Sequence, residues 1–486
     1  MLALGVVSVS ANPAPVPDAA LSSGPRAFKF EKVKKNINNI PVQPRLRYAK
    51  RSDTVLQRLE NADFLYYANV SLGTPGQPLR LHLDTGSSDI WVESASSELC
   101  QQPSNPCAAT GTFSRSKSST YKKVADDFSI SYVDGEYANG DYGSDVFHFA
   151  DGTSVKGLQF GIGLESTSSE GIMGIGMAAN EVQVQRLGKA PYKTLVELMV
   201  EQGIIKTKAY SLYLNDLEAS TGEVLFGGID TAKFEGQLAT LPIDRRAGQL
   251  KPKEFIVTCT GVSLTNDENN SLSITDNDFA IPVLLDTGST YTYVPGDIAR
   301  ILAAQVGAQV SAGTAVPIVP CDIRNYRGSI NFDFSGKKIA IPLSQLAVDA
   351  FTNDGSPATF SDGSPLCYFG IMDSGDSTYV MGDTFLRAAY VVYDIENEQI
   401  SLGQAKYGTG SNIVEIGTGK DIPKATVPAN AETISPTETR GGISTDMTAS
   451  SDATNKQSGG MGVISLFRSH QQVWALVLAA TLIVIL

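Results

Sequence analysis

The sequence predicts an all-β protein made of two related halves that face each other about a pseudo-two-fold axis, with helices few and short. Three observations carry this. From 66 to about 405 the chain is a succession of short alternating or wholly apolar runs broken by Gly, Asp, Asn and Pro, as in YYANVSLGTPGQ, LRLHLDTGSS, YSLYLND, EVLFGGID and YVVYDIENEQISLGQ. That is the pattern of half-buried strands joined by turns. The stretch LHLDTGSSDIWV at 81–92 returns as VLLDTGSTYTYV at 283–294, with six identities in twelve. The echo reaches further, because Asp84 is followed 90 residues on by Gly174 in GIMGIG, and Asp286 is followed 96 residues on by Gly382 in YVMGDTFL. A motif that recurs with its distant companion marks a duplicated half-molecule.

In chain order, residues 1–11, MLALGVVSVSA, form a short apolar run ending in the small-residue site Val9-Ser10-Ala11, read as a signal peptide although it lacks a basic n-region. Residues 12–51 read as a basic propeptide closed by the dibasic pair Lys50-Arg51, a site for a processing protease. Nine basic against two acidic residues give 1–51 a net +7, so the rest of the chain carries −20 of the total −13. Opposite charges hold such a segment on the body at neutral pH and release it as carboxylates protonate, the behaviour of an acid-triggered zymogen.

Residues 52–240 form the first lobe and 241–405 the second. The best helical candidate is PYKTLVELMVEQ at 191–202, with Pro191 in the first turn and Gly203 just past the end. From 406 to 458 the chain turns rich in Ser, Thr, Pro and Gly, with few large apolar residues to bury, and reads as a disordered, O-glycosylated stalk. Residues 459–486 end in the 14-residue apolar tail VWALVLAATLIVIL, short for a membrane span. Preceded by a mostly polar spacer and by small residues at Ser458 and Gly459, that tail matches a GPI-attachment signal. The expected location is therefore the cell surface, anchored to plasma membrane or wall. Asn69 and Asn269 head N-glycosylation triplets.

The five cysteines fit two bridges and one leftover. Cys100 with Cys107 would staple one loop and Cys321 with Cys367 a longer one, leaving Cys259 in an apolar run; the sequence alone permits other pairings.

The formal charge of −13 excludes a dominant basic face, and with it nucleic acid as partner. Rival chemistries are poorly supplied. The three histidines are His82, His148 and His470, and no HExxH or Cys/His zinc spacing occurs, so no metal is expected. His82 lies on a strand-like run two residues before Asp84 and reads as a strand side chain rather than a triad base. GIMGIGMAA is Gly-rich but belongs to the repeat, not to a dinucleotide fingerprint.

The repeat supplies chemistry of its own. Each Asp ends an apolar strand run, where Thr-Gly-Ser forces a tight turn and brings N–H groups and hydroxyls to the carboxylate. If the halves face each other, Asp84 meets Asp286. Two adjacent carboxyls cannot both ionise comfortably, so they share a proton, one acting as base on a water and the other as acid on a carbonyl oxygen. The product is a hydrolysed peptide bond.

These residues resemble the pepsin-like aspartic proteases, and more narrowly the fungal cell-surface members of the yapsin and candidapepsin kind. The likeness runs over about 66–404, through YYANVSLGTPGQPLRLHLDTGSSDIWV, GTFSRSKSSTYKKV, LFGGID, LLDTGST and VMGDTFLRAAYVVYD. It implies a bilobal pepsin-like fold, a monomer without cofactor, and protein or peptide substrates bound between the lobes. It also implies roles: Asp84 and Asp286 as the catalytic pair, Thr85 and Thr287 as cross-braces, Ser87 and Ser289 as support, and Gly86 and Gly288 as backbone contacts to substrate. SISYVDGEYANG resembles the flap hairpin, with Tyr132 at its tip held by Trp91, and Asp134 and Gly135 beside it. In related fungal enzymes an acid at the place of Asp134 goes with acceptance of Lys or Arg before the scissile bond, as a carboxylate facing a cation would. The chain departs from some yapsins in having only CQQPSNPC where they carry a long acidic insertion, which weakens an expectation of strict paired-basic specificity. A second reading, from members of the fold that have lost the dyad, is a non-catalytic cell-wall binding protein.

Overall fold

The computed structural model describes residues 54–61, 65–133, 135–245, 249, 251–310, 316–352, 356–408 and 410–444. The signal and propeptide segments with Lys50 and Arg51, the flap residue Asp134, and the tail with Ser458 and Gly459 lie outside the described residues.

The fold is mostly β. The alternation of strand Gln77–Asp84 is the reason it sits where it does: Leu79, Leu81 and Leu83 are buried in the core, and the strand pairs antiparallel with Tyr66–Leu72. One 14-stranded sheet holds the first half and continues through Ala209–Tyr213 into Ala389–Asp394 and Gln399–Gln404, so the halves share a sheet. Sheets of five, four and four strands build the rest of the second half.

The duplication is visible as pairing. In the first half, the strand ending at Asp84 runs parallel to Ile172–Gly174, with Asp84 beside Gly174. Strand Ile90–Glu93 comes back antiparallel to Ile172–Gly174, Trp91 facing Ile172, and lies parallel to Ser154–Ser166 on its other side. In the second half Ile281–Leu285 runs parallel to Tyr379–Met381, Thr292–Val294 returns antiparallel to it, and Ile371–Asp373 lies parallel beyond. The repeated glycines serve this packing. A Cβ on Gly174 would lie 2.5 Å from the Asp89 carbonyl, and one on Gly382 would lie 2.3 Å from the carbonyls of Ser289 and Tyr291.

Helices among the described residues are short. The candidate at 191–202 starts later than its proline suggests, at Leu195, because Thr194 and Glu197 close a capping box. Gly203 ends it at φ 68°. Disulfides join Cys100 to Cys107 and Cys321 to Cys367, and Cys259 is free and buried.

One expectation is corrected. Residues 410–444, read from composition as part of the disordered stalk, form a strap laid on the body. Ile413–Glu415 pairs with Gly228–Asp230, and Ala425–Thr426 extends the large sheet beside Leu238–Pro242. Ile434 N–H donates to Thr258 Oγ1, which itself donates to Asp244, and Arg440 and Ile443 bridge to Ala280 and Thr275. Ile416, Ile422 and Ile434 are buried at 1%, 4% and 6% exposure, which anchors a polar segment that composition alone leaves unattached. Those three side chains contribute on the order of 5 kcal/mol. A chain ending at Gln404 is therefore expected to melt well below one ending at Ser444. Coincident thermal melts of the two would show the strap to be dispensable.

Candidate active site

The two Asp-Thr-Gly-Ser turns meet between the halves. In the first, Asp84 Oδ1 accepts the N–H groups of Gly86 at 2.8 Å and Ser87 at 3.2 Å, and Ser87 Oγ donates to Oδ2. In the second, Asp286 Oδ1 accepts Gly288 N–H at 2.8 Å and Oδ2 accepts Ser289 Oγ at 2.9 Å. Asp84 is 5% exposed and Asp286 is partly open.

Glycine is required in both turns by what lies opposite. A Cβ on Gly86 would sit 2.5 Å from Asp286 Oδ1, and one on Gly288 would sit 2.7 Å from Asp84 Oδ1. Each glycine thus lets the carboxyl of the other half approach.

The threonines lock the turns together. Thr85 N–H donates to Thr287 Oγ1 at 3.1 Å, and Thr287 N–H donates to Thr85 Oγ1 at 3.0 Å. Each hydroxyl in turn donates across the interface, Thr85 to the Leu285 carbonyl at 2.9 Å and Thr287 to the Leu83 carbonyl at 2.8 Å. All four polar atoms are satisfied, so the separation of the carboxyls is fixed by backbone rather than by flexible side chains.

The carboxyls feel one another. Burial first, and then the charge of Asp84, push the Asp286 carboxyl up to about 7. A carboxyl raised in this way is suited to carry a proton beside a second carboxyl.

The hairpin of Lys122–Ser131 and Tyr137–Phe149 carries Tyr132, close enough to the site to feel the charge of Asp84. Its tip closes with Tyr132 N–H on the Glu136 carbonyl and Gly135 N–H on the Tyr132 carbonyl, Gly135 at φ 90°. Trp91 Nε1 donates to the Tyr132 hydroxyl at 2.8 Å, and Val133 is fully exposed at the tip.

Behind Trp91 lies a cluster that the sequence did not single out. Asp89 accepts the hydroxyls of Tyr142 and Tyr192 and the N–H of Val182, and the neighbouring Glu181 is fully buried, accepting Tyr192 N–H. Burial pushes the Glu181 carboxyl up to about 9. The only hint in sequence is that Asp89 lies two residues past the shared Asp-Thr-Gly-Ser, at a place where the second half has Tyr291.

Other residues fall elsewhere. His148, half-buried near the end of strand Tyr137–Phe149, bonds the Gly73 carbonyl and the Ser154 hydroxyl, and His470 lies outside the described residues. Two groupings with ligand-like spacing, Glu93 with Cys100 and Cys107, and Asp349 with Cys321 and Cys367, have their sulfurs joined in disulfides and so offer no thiolates. Asn269 is exposed on the turn between Gly261–Thr265 and Ser271–Ser273, whereas Asn69 is half-buried within a paired strand.

Comparison with known proteins agrees with this geometry. A family model described as eukaryotic aspartyl protease matches residues 65–405. The chain is 44% identical over 403 residues to the probable aspartic-type endopeptidase opsB of Aspergillus oryzae, covering 82% of this chain and 81% of the relative. It is 37% identical over 382 residues to the aspartic proteinase yapsin-3 of Saccharomyces cerevisiae, covering 76% and 71%. Among solved structures, the aspartic proteinase from Irpex lacteus superposes with a TM-score of 0.58 at 20% identity, over 73% of this chain and 98% of that one, a likeness of fold.

Proposed function

The chain belongs to the eukaryotic aspartyl protease family and is an aspartic-type endopeptidase, and from that premise we propose that Asp84 and Asp286 hydrolyse peptide bonds by activating a water between them in acid. The observation that carries this is the pair of turns whose glycines admit each other's carboxyls while the threonines fix their spacing.

The ionised member takes a proton from the water as its oxygen attacks the scissile carbonyl carbon, and the protonated member gives its proton to the carbonyl oxygen. A neutral gem-diol results. In the second step one diol hydroxyl returns a proton, the amide nitrogen gains one, and the C–N bond breaks to leave acid and amine. Ser87 and Ser289 steady the carboxylates, Gly86 and Gly288 offer backbone to substrate, and Tyr132 closes the site from the flap, steadied by Trp91. Intact carboxyls in both halves give no support to a binding-only protein.

Asp134, beside Tyr132, is proposed to favour Lys or Arg before the cut bond. Digestion of a mixed peptide library by a chain spanning 52–444 at pH 3 to 7, with the cut sites read by mass spectrometry, tests both statements. Acid-dependent cleavage carries the first, and enrichment of basic residues that Asp134→Asn removes carries the second. Properly folded protein that cuts nothing would overturn the first, and cleavage without that enrichment the second.

The maturation reading is also a proposal: signal peptide, propeptide removal after Arg51, glycosylation at Asn269 and Asn69, and GPI attachment near Ser458 and Gly459 to hold a monomer at the cell surface. With 410–444 laid on the body, the tether would be about 445–458. No helix among the described residues is long and apolar enough to cross a membrane. Intact-mass and peptide mapping of the secreted protein is expected to give Ser52 as first residue and a glycan on Asn269. A retained basic segment or an unmodified Asn269 would count against it.

A further inference from the structure

The cross-brace between the halves is symmetric except for one bond. His82, two residues before Asp84, places Nε2 3.3 Å from the carbonyl oxygen of Thr287. A carbonyl only accepts, so the ring is the tautomer with its proton on Nε2. The equivalent position before Asp286 is Leu284, which has no donor to offer Thr85. The bond therefore exists on one side only.

What it touches matters. The Thr287 carbonyl and the Gly288 N–H belong to one peptide unit, and that N–H is the 2.8 Å donor to Asp286 Oδ1. A donor on the oxygen of a peptide polarises the unit and strengthens its N–H as a donor. An imidazole on a strand between Leu81 and Leu83, only 8% exposed, is costly to bury without such a partner. We propose that His82 is a positioning residue for the second carboxyl, donating to the Thr287 carbonyl and so aligning and strengthening the Gly288 N–H that holds Asp286.

The surroundings act on this donor in opposite senses. The ring of Tyr67 lies 5.8 Å away at a tilt, Tyr67 donates to Glu170, Arg80 stacks on Tyr67 at 3.8 Å, and Glu170 and Asp286 are the carboxyls whose charge His82 feels. Burial holds the imidazole below its ordinary range against those two carboxyls. The consequence lies in the titration of the pair: a stronger donor favours the ionised form of Asp286, so its loss lets the shared proton persist to higher pH.

The inference rests on the protease reading, and the experiment separates the two. Peptide hydrolysis is measured as kcat and KM against pH for the native chain, His82→Leu, which copies the second half, and His82→Gln, whose amide nitrogen falls where Nε2 was. In His82→Leu the neutral-side limb of kcat/KM is expected to move up by about half a pH unit, a fraction of one hydrogen bond, with kcat lowered several-fold and KM little changed. His82→Gln is expected to restore both. If His82→Leu does not fold, His82→Asn, too short to reach Thr287, replaces it with the same expectations. A profile that superposes on the native one, or a shift equal in His82→Gln, overturns the proposal. A native chain that cuts nothing would instead overturn the protease reading.

Discussion

Asp286→Asn is expected to lower kcat by at least about 10⁴-fold while leaving the thermal melt at pH 4 unchanged. The amide keeps the carbonyl oxygen that accepts Gly288 N–H, and the side chain keeps its size, so the turn and the threonine brace survive. It can neither take a proton from water nor give one to a carbonyl. Asp84→Asn is expected to behave alike, and the double variant to be no worse than either, because the carboxyls act as one unit. Steady-state kinetics on a single-site peptide, beside calorimetry, reads all three. Residual cleavage within tenfold of native in either single variant would mean that the nucleophilic water is activated elsewhere.

Raising the pH from 4 to 8 is expected to destabilise the body by several kcal/mol and to lower its melting temperature by on the order of 10 °C. The cause is a set of carboxyls that folding buries. Burial pushes Glu93, Asp244 and Asp286 up to about 7 and Glu181 up to about 9, and it raises Asp89, Asp383 and Asp394 as well. Each has a folded-state pKa above its unfolded one, near 4. Their protonated forms are favoured in the native state, so the stability they contribute is complete below about pH 4 and is lost as pH rises through 7 and then 9. A displacement of one pH unit in one group is worth about 1.4 kcal/mol. Glu181→Gln, an isostere of the protonated acid that keeps an acceptor for Tyr192 N–H, is expected to raise the melting temperature at pH 8 and not at pH 4. A flat melting temperature across that range would refute this assignment of protons.

The same physical reasons explain what the sequence made legible. The duplicated turn is a local pattern with a distant companion, and both signals follow from packing: the strand before Asp84 lies against Gly174 because no Cβ fits there, and the second half repeats the arrangement at Gly382. The site was readable because backbone N–H groups and short hydroxyls make it, and these are encoded within four consecutive residues. The strap was not readable, since it is held by edge-strand pairing and three widely spaced isoleucines, and backbone pairing leaves no mark on composition. The helix after Pro191 began late because a capping box outranks a proline that merely tolerates a first turn. Glu181 and Asp89 meet only through tertiary contacts, and His82 gained its partner from a loop 205 residues away.

The most direct test of the central claim, that two carboxyls share one proton to activate water, is the pH dependence of kcat/KM for the native chain on a single-site peptide. Initial rates are to be taken at a temperature where melts show it folded throughout. A bell confined to acid, with activity lost as pH rises through about 7 and regained on return to acid, is the predicted result. Activity that climbs to a plateau above pH 8 would contradict it, because there the shared proton is gone.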